Sequence, residues 1–339
     1  HNRKILLSST KINTNMINIP IIFCFDKNMV ISAGVCITSL LLNKHSETFY
    51  DFIILYNEQD LTIEYRNKLL ILQDKYPNQC RISFFSIGNT FQGAYEIRNI
   101  TISTYYRLLI PELMPQINSL NQTNYQTIFY LDVDTIIECD LSQVFLSCQA
   151  KTEICLFGVC ESPTYHQGID LSYWREIGCN PKSYINAGVL IMNIEALQKY
   201  NFTSLCLRHK NKKYTYQDQD IINIVCKDKI SFLPLKYNYT SVLYTLALHN
   251  KEFQKLKAEE IDNANNGIIH YTGSKPWNSF CLRSEYWWYY YKHSIFKDEQ
   301  FYSNYHQSIP NQILSDSSYK RIKKIFLKKL ISKYFHKTN

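Results

Sequence analysis

The sequence predicts an α/β layer fold on a largely parallel sheet, and three observations carry that expectation. Short apolar runs alternate with longer stretches of helical periodicity. The first run, Ile19 to Phe25, ends in a polar Asp26-Lys27-Asn28 loop and is followed by Met29 to Leu42, with apolar residues at helical spacing. Carboxylates stand where such runs stop, at Asp26 and at Asp132-Val133-Asp134, the edge where ligands collect in sheets of this kind.

Phe52 to Tyr56, Ile82 to Phe85 and Thr127 to Leu131 read as further strands, and Leu61 to Lys75 and Ser103 to Leu109 as helices. In the second half, Ile154 to Cys160 and Val189 to Ile194 read as strands, the latter fed by a turn at Asn186-Ala187-Gly188. A helix follows from Gln219 to Cys226, then a strand at Ile268 and Ile269. From Cys281 the composition turns aromatic, through Tyr286-Trp287-Trp288-Tyr289-Tyr290-Tyr291, and then basic, which places a boundary near residue 280.

With 339 residues, 45% of them hydrophobic, the chain can bury one substantial core plus a smaller appended element. Glycine and proline, at 9 each, exclude collagen-like and low-complexity classes. The 11 cysteines include no C-x-x-C pair, so neither a disulfide framework nor a zinc ribbon is expected, and reduced thiols in a cytosol are the simpler reading. The apolar patch Ile5 to Leu7 is too brief for a signal core, and no apolar run approaches the ~18 residues of a membrane span. The sequons at Asn99, Asn121, Asn201 and Asn238 are accordingly read as chance.

The net charge of +8 belongs to one segment: Lys320, Arg321, Lys323, Lys324, Lys328, Lys329, Lys333 and Lys337 follow Asp316 without another acid. The body has no formal net charge, which argues against a nucleic-acid groove. Ile322, Ile325, Phe326, Leu330 and Tyr334 recur among these bases at helical spacing, the pattern of a basic amphipathic helix lying on anionic lipid. Its alternative is a solvated helix packed on its own domain.

Asp132 and Asp134, two apart on extended backbone, project to one side and can share a cation. A D-x-D is weak alone, since Asp218-Gln219-Asp220 is a second one; its context adds weight. From Leu108 to Ala150 there is no Lys or Arg, although Glu112, Asp132, Asp134, Glu138 and Asp140 lie there. Such acids repel one another unless something positive binds between them, and hard oxygen ligands suit Mg²⁺ or Mn²⁺. The alternative is acids capping a loop, paired with a distant base.

The segment Ile268 to Trp277 offers His270 as a third metal ligand, backbone N–H groups near Gly273 for phosphate oxygens, and Lys275 to neutralise a departing nucleotide. A tight turn with a satisfied His and an exposed Lys is the plainer reading. Asp218 reads as a helix N-cap and Asp220 as a first-turn acid; the functional reading, compatible with that one, has Asp218 binding sugar hydroxyls with Gln219 beneath the reacting carbon. Arg107 sits on the polar side of its helix, where it either clamps a phosphate or sugar hydroxyl or lies on the surface.

In this order the segments Phe25-Asp26-Lys27-Asn28, Ser103 to Leu108, Tyr130-Leu131-Asp132-Val133-Asp134, Asn186-Ala187-Gly188-Val189, Tyr216 to Asp220 and His270 to Trp277 resemble glycosyltransferase family 8. The resemblance spans roughly residues 20 to 280 and looks closest to the lipopolysaccharide core α-glucosyl- and α-galactosyltransferases. It implies a GT-A fold, a single nucleotide-binding domain with a mixed, mainly parallel sheet and a small C-terminal helical extension. The implied division is an N-terminal extension at 1–19, a catalytic domain at 20–280 with donor half to about 150, and a membrane-associating region at 281–339.

By the same resemblance the donor is a UDP-hexose, the product an α-linkage with retained configuration, and the metal Mn²⁺ or Mg²⁺ on Asp132, Asp134 and His270. Asp26 and Asn28 would contact the uridine, Arg107, Asp132, Asn186, Ala187 and Asp218 the sugar side of the donor, and Gly273 and Lys275 the diphosphate. Gln219, Asp218 and Lys275 are the implied catalytic residues. A single residue separates Gly273 from Lys275 where some members have two, and Glu161 replaces a shorter carboxylate, which bears on hexose preference. The implied acceptor is a lipopolysaccharide core, met at the inner face of the cytoplasmic membrane. Rival readings are a nucleotidyltransferase, a glycogenin-like transferase, and a non-catalytic nucleotide-sugar-binding membrane module.

Overall fold

The computed structural model describes residues 16–88, 102–166, 170–209 and 211–315. Ten strands are assigned there: β1 Ile17–Cys24, β2 Thr48–Tyr56, β3 Cys80–Ser86, β4 Thr127–Leu131, β5 Thr135–Ile137, β6 Leu156–Cys160, β7 Ile185–Asn193, β8 Ile230–Phe232, β9 Tyr239–Thr240 and β10 Ile268–His270. Seven form one sheet in the order β3-β2-β1-β4-β7-β6-β8. All its pairings are parallel except those of β7, which runs antiparallel to both β4 and β6. The sheet is therefore mixed and mainly parallel, as the sequence predicts.

Both faces of this sheet are covered, which is why its strands are apolar runs instead of alternating patterns. Along β1, Ile21 and Phe23 join one core cluster with the helix Val30–Asn43, while Ile22 and Cys24 join the other with the helix Ile110–Asn121. Each set buries the opposite face of a period-two strand.

Of the small sheet β5-β10-β9 the sequence reading contains only β10, as the strand at Ile268 and Ile269; β5, β9 and the edge strand β8 of the large sheet have no counterpart in it. Strands of two or three residues carry little periodicity. The function of the small sheet in the fold is positional: β10 pairs antiparallel with β5, setting His270 opposite Thr135, and parallel with β9, setting His270 beside Thr240.

Two local expectations are corrected. Asn186-Ala187-Gly188 is not a turn; it lies within the fully buried strand β7, hydrogen-bonded between β4 and β6. The segment read as a helix from Ser103 is a 3-10 helix, Ile102–Leu109, running into the helix that Pro111 opens at a position where its missing N–H costs nothing.

The aromatic run forms the helix Ser284–His293, which packs on the body. Trp287, Trp288, Tyr290 and Tyr291 are buried with Val35, Ile136 and Ile269, and Gly34 has no Cβ because Phe296 occupies that space. The C-terminal helical extension thus seals one side of the fold. The basic segment Lys320 to Lys337 lies outside the described residues, as do residues 1–15 of the N-terminal extension. No helix among the described residues is long and apolar enough to cross a membrane.

Candidate metal and donor site

β4 ends at Leu131, and the chain turns through Asp132-Val133-Asp134 before β5. The Asp132 N–H donates to Gly188 O at 2.7 Å, so the turn is pinned to β7. Register then brings in His270 from β10. One ligand atom each from Asp132, Asp134 and His270 lies within 4.8 Å of the others. His270 Nε2 is 3.3 Å from Asp134 Oδ1 and 4.0 Å from Asp132 Oδ2. Oxygen and nitrogen atoms bonded to one ion at about 2.1–2.2 Å stand about 3–4 Å apart, so this set, with Asp134 and His270 buried and Asp132 half-buried, fits a divalent cation. The space for it is made by Gly188, where an added Cβ would lie 2.3 Å from His270 Cε1 and 2.6 Å from Asp132 Oδ2.

His270 is held by its other nitrogen. Nδ1 lies 2.9 Å from Asn238 Oδ1, and Asn238 Nδ2 donates to Asn186 Oδ1 at 2.8 Å. Asn186 Nδ2 in turn donates to Glu161 Oε1 at 2.5 Å. Burial pushes the Glu161 carboxyl up, with the Asn186 hydrogen bond opposing. Asn238, fully buried, is the residue sequence reading missed and assigned to chance.

The chain-local absence of a base around the acids is made good in three dimensions. Arg107, only 4% exposed, is not the surface residue its helix position suggested. Its Nη2 lies 3.2 Å from Asp132 Oδ1, its Nε 2.8 Å from Asp218 Oδ2, and its Nη1 donates to Ala187 O at 2.5 Å. The contact with Asp218 is an ion pair by distance without hydrogen-bond alignment. The guanidinium also lies over the Tyr130 ring at 4.4 Å, and Tyr130 Oη donates to Asp132 Oδ1 at 2.6 Å. A signal for Tyr130 was present, because it stands two residues before Asp132 on the same side of the strand.

Lys275 Nζ donates to the Asp134 carboxylate and to Tyr271 O at 2.6 Å. Burial works to raise the Asp134 carboxyl, but Lys275 and His270 together hold it well below the usual carboxylate range. Both readings of these acids therefore hold at once: they can share a cation, and they are paired with distant bases. Gly273 has φ +91° in an exposed position with open space around it, a conformation that favours glycine.

The helix Gln217–Cys226 starts at the same cleft, but Tyr216, not Asp218, takes the N-cap position. Asp218 is buried inside the first turn, and burial, opposed by Arg107, pushes its carboxyl up to about 6. Gln219 Oε1 accepts from Ala187 N–H at 3.0 Å, and its Nε2 donates to Tyr184 Oη at 3.3 Å. Asp220 is fully buried and accepts from Tyr173 and Tyr184 hydroxyls at 2.5 Å each and from Tyr216 N–H at 2.8 Å. Asp26 lies at the carboxyl end of β1, where its Oδ1 accepts from Asn28 N–H at 2.8 Å and Asn28 itself is exposed. The fold thus gathers Arg107, Asp132, Asp134, Asn186, Ala187, Asp218, Gln219, His270 and Lys275 into one network, with Asp26 and Asn28 at the edge of the neighbouring strand.

Residues 20–281 match the profile of glycosyl transferase family 8. The chain belongs to that family. Relatives include the lipopolysaccharide 1,2-glucosyltransferase of Escherichia coli, 29% identical over 273 residues, 76% of this chain and 72% of that one. General stress protein A of Bacillus subtilis (strain 168) is 24% identical over 269 residues, 76% of this chain and 87% of that one. Among solved structures, galactosyltransferase LgtC in complex with donor and acceptor sugar analogs matches with a TM-score of 0.66 at 20% identity, covering 84% of this chain and 99% of that one. That likeness establishes the fold. Membership of family 8 makes the chain a glycosyltransferase, and the Asp-Asp-His cluster within its profile is able to coordinate a metal ion.

Proposed function

We propose that this glycosyltransferase moves a hexose, glucose or galactose, from UDP to a lipopolysaccharide or lipooligosaccharide core with retention of configuration. The observation that carries the reading is the convergence of Asp132, Asp134 and His270, with Arg107 and Lys275 packed against the same carboxylates. The acceptor class rests on relatives such as the lipopolysaccharide 1,2-glucosyltransferase of Escherichia coli.

Asp132, Asp134 and His270 would hold Mn²⁺ or Mg²⁺, which when bound supplies positive charge to the diphosphate as the sugar–phosphate bond breaks. The remaining chemistry belongs to side chains. Lys275 would turn towards the departing diphosphate and stabilise its growing charge, while the Gly273 loop lets the backbone approach it. Arg107, fixed by Asp218 and Ala187, would hold the Asp132 carboxylate in one orientation. Asn186 and Asp218 would bind hexose hydroxyls, and Asp26 and Asn28 the uridine.

Retention needs either a nucleophile under the sugar or attack from the leaving-group side. Gln219 is a neutral amide whose oxygen already accepts from Ala187, a poor nucleophile. Asp220 is enclosed by two tyrosine hydroxyls and a backbone N–H. We therefore favour front-face transfer: the C1–phosphate bond breaks, the acceptor oxygen bonds C1 on the same face, and its proton passes to the departing phosphate oxygen. Mass spectrometry after a donor-only incubation checks this. An unmodified chain is expected, and a glycosyl adduct on Gln219, Asp218 or Asp220 would replace front-face attack by double displacement.

The enzyme is further proposed to work at the inner face of the cytoplasmic membrane, with the basic segment from Lys320 to Lys337 drawn to anionic lipid, at about 1 kcal/mol per engaged base.

A further inference from the structure

We propose that Asn238 is a positioning residue that fixes the tautomer of His270 and, through Asn186 and Glu161, couples the metal site to the sugar pocket. This rests on the reading of Asp132, Asp134 and His270 as the metal-holding set.

The donor directions in the chain of side chains are determined by chemistry. The Gly188 backbone N–H can only donate, and it faces Asn186 Oδ1, so that amide turns its oxygen inward and its Nδ2 to Glu161 Oε1 at 2.5 Å. The inward oxygen receives two donors, Gly188 N–H at 2.9 Å and Asn238 Nδ2 at 2.8 Å. Asn238 then has only its oxygen left for His270, and an amide oxygen only accepts. Nδ1 of His270 must carry a hydrogen, which leaves Nε2, the atom that faces Asp134 and Asp132, as the nitrogen that can offer its lone pair to a cation.

A neutral imidazole with its lone pair on the buried carboxylate side is the form that ligates a cation, and a fixed donor bond on the other nitrogen sets ring orientation as well. Asn238 owes its place to the fold: it ends the 3-10 turn Leu235–Asn238 immediately before β9, the strand that pairs in register with β10 and its terminal His270. Asn238 is fully buried, and so has no role at the surface. The chain also ends on Asn186 and Glu161, residues of the proposed sugar pocket, so a disturbance there is transmitted to His270 without touching the ion.

The test measures the His270 tautomer and Mn²⁺ affinity separately from turnover. In full-length protein with ¹⁵N-labelled histidine and no metal, the ring shifts of His270 are expected to report a protonated Nδ1. Asn238→Leu, which cannot accept, is expected to weaken Mn²⁺ binding, followed by electron paramagnetic resonance, by roughly tenfold to a hundredfold and to mix the tautomers. Asn238→Asp, whose carboxylate still accepts from Nδ1, restores the tautomer and most of the affinity. Asn186→Ala, which removes the amide that orients Asn238, is expected to give a smaller loss in the same direction.

A His270 whose Nδ1 carries no hydrogen in the unsubstituted protein overturns the proposal whatever any variant does, including a leucine variant that fails to fold. So does a folded Asn238→Leu protein with unchanged tautomer and affinity. The two readings fail differently: if the unsubstituted protein binds no Mn²⁺, the metal assignment itself falls, whereas normal binding that is indifferent to residue 238 removes this inference alone.

Discussion

Arg107 Nη2 stands 3.2 Å from Asp132 Oδ1, and the same guanidinium bridges to Asp218 in the first turn of the helix Gln217–Cys226. Removing it would leave the buried Asp218 and the half-buried Asp132 carboxylates without the guanidinium they share. Arg107→Ala is expected to destabilise the fold by about 3–5 kcal/mol. Urea midpoints of the two proteins at neutral pH check this, and a loss below about 1 kcal/mol would show that the pair is not a linchpin of the cleft.

Gly188 is the tightest steric constraint at the site. Because a Cβ there would lie 2.3 Å from His270 Cε1, Gly188→Ala is expected to displace the ring and lower Mn²⁺ affinity at least about a hundredfold. Calorimetric titration of the folded variant reads the change directly. Affinity equal to that of the parent protein would mean that His270 takes no part in metal binding.

Asp218 predicts a pH signature. Its carboxyl is pushed up to about 6, chiefly by burial, so the folded chain keeps this proton after the unfolded chain has lost it near pH 4. The contribution to stability is complete below the unfolded value and is lost as pH rises from about 4 to about 6. Asp218→Asn should remove that fall, on the order of 3 kcal/mol, from the pH dependence of unfolding in metal-free buffer. Parallel curves for the two proteins across this range would contradict it.

The body of the protein has no formal net charge, so membrane attraction should reside in the last residues. Deleting residues 316–339 is expected to abolish sedimentation with anionic vesicles while leaving hydrolysis of the donor unchanged. Retained sedimentation would assign lipid binding to the body instead.

The sequence carried the large sheet except its edge strand β8, because the other strands stand out as apolar runs, as in Ile19 to Phe25 and Thr127 to Leu131, whereas Ile230–Phe232 is short and partly exposed. It also carried the Asp132-Val133-Asp134 turn, since a strand end followed by acids is a local pattern. What it concealed is nonlocal. Nothing around Asn238 distinguishes it from a surface sequon, because its importance comes from the pairing of β9 with β10. Arg107 was likewise ambiguous, since only tertiary packing tells a clamp between Asp132 and Asp218 from an exposed helix residue. Asn186-Ala187-Gly188 was misread because small residues signal both a turn and a close approach of side chains to a strand. In β7 it is the second, with Gly188 leaving room for His270 and Asp132.

The measurement nearest to the central claim is release of UDP from UDP-glucose and UDP-galactose, with and without a core oligosaccharide, in Mn²⁺ or in excess chelator. The account predicts release from at least one donor in Mn²⁺, its loss in chelator, and at least about a thousandfold lower rates in Asp132→Asn and Asp134→Asn proteins that remain folded. Failure to transfer or hydrolyse either sugar under every metal condition, or full activity in the Asp134→Asn protein, would contradict it.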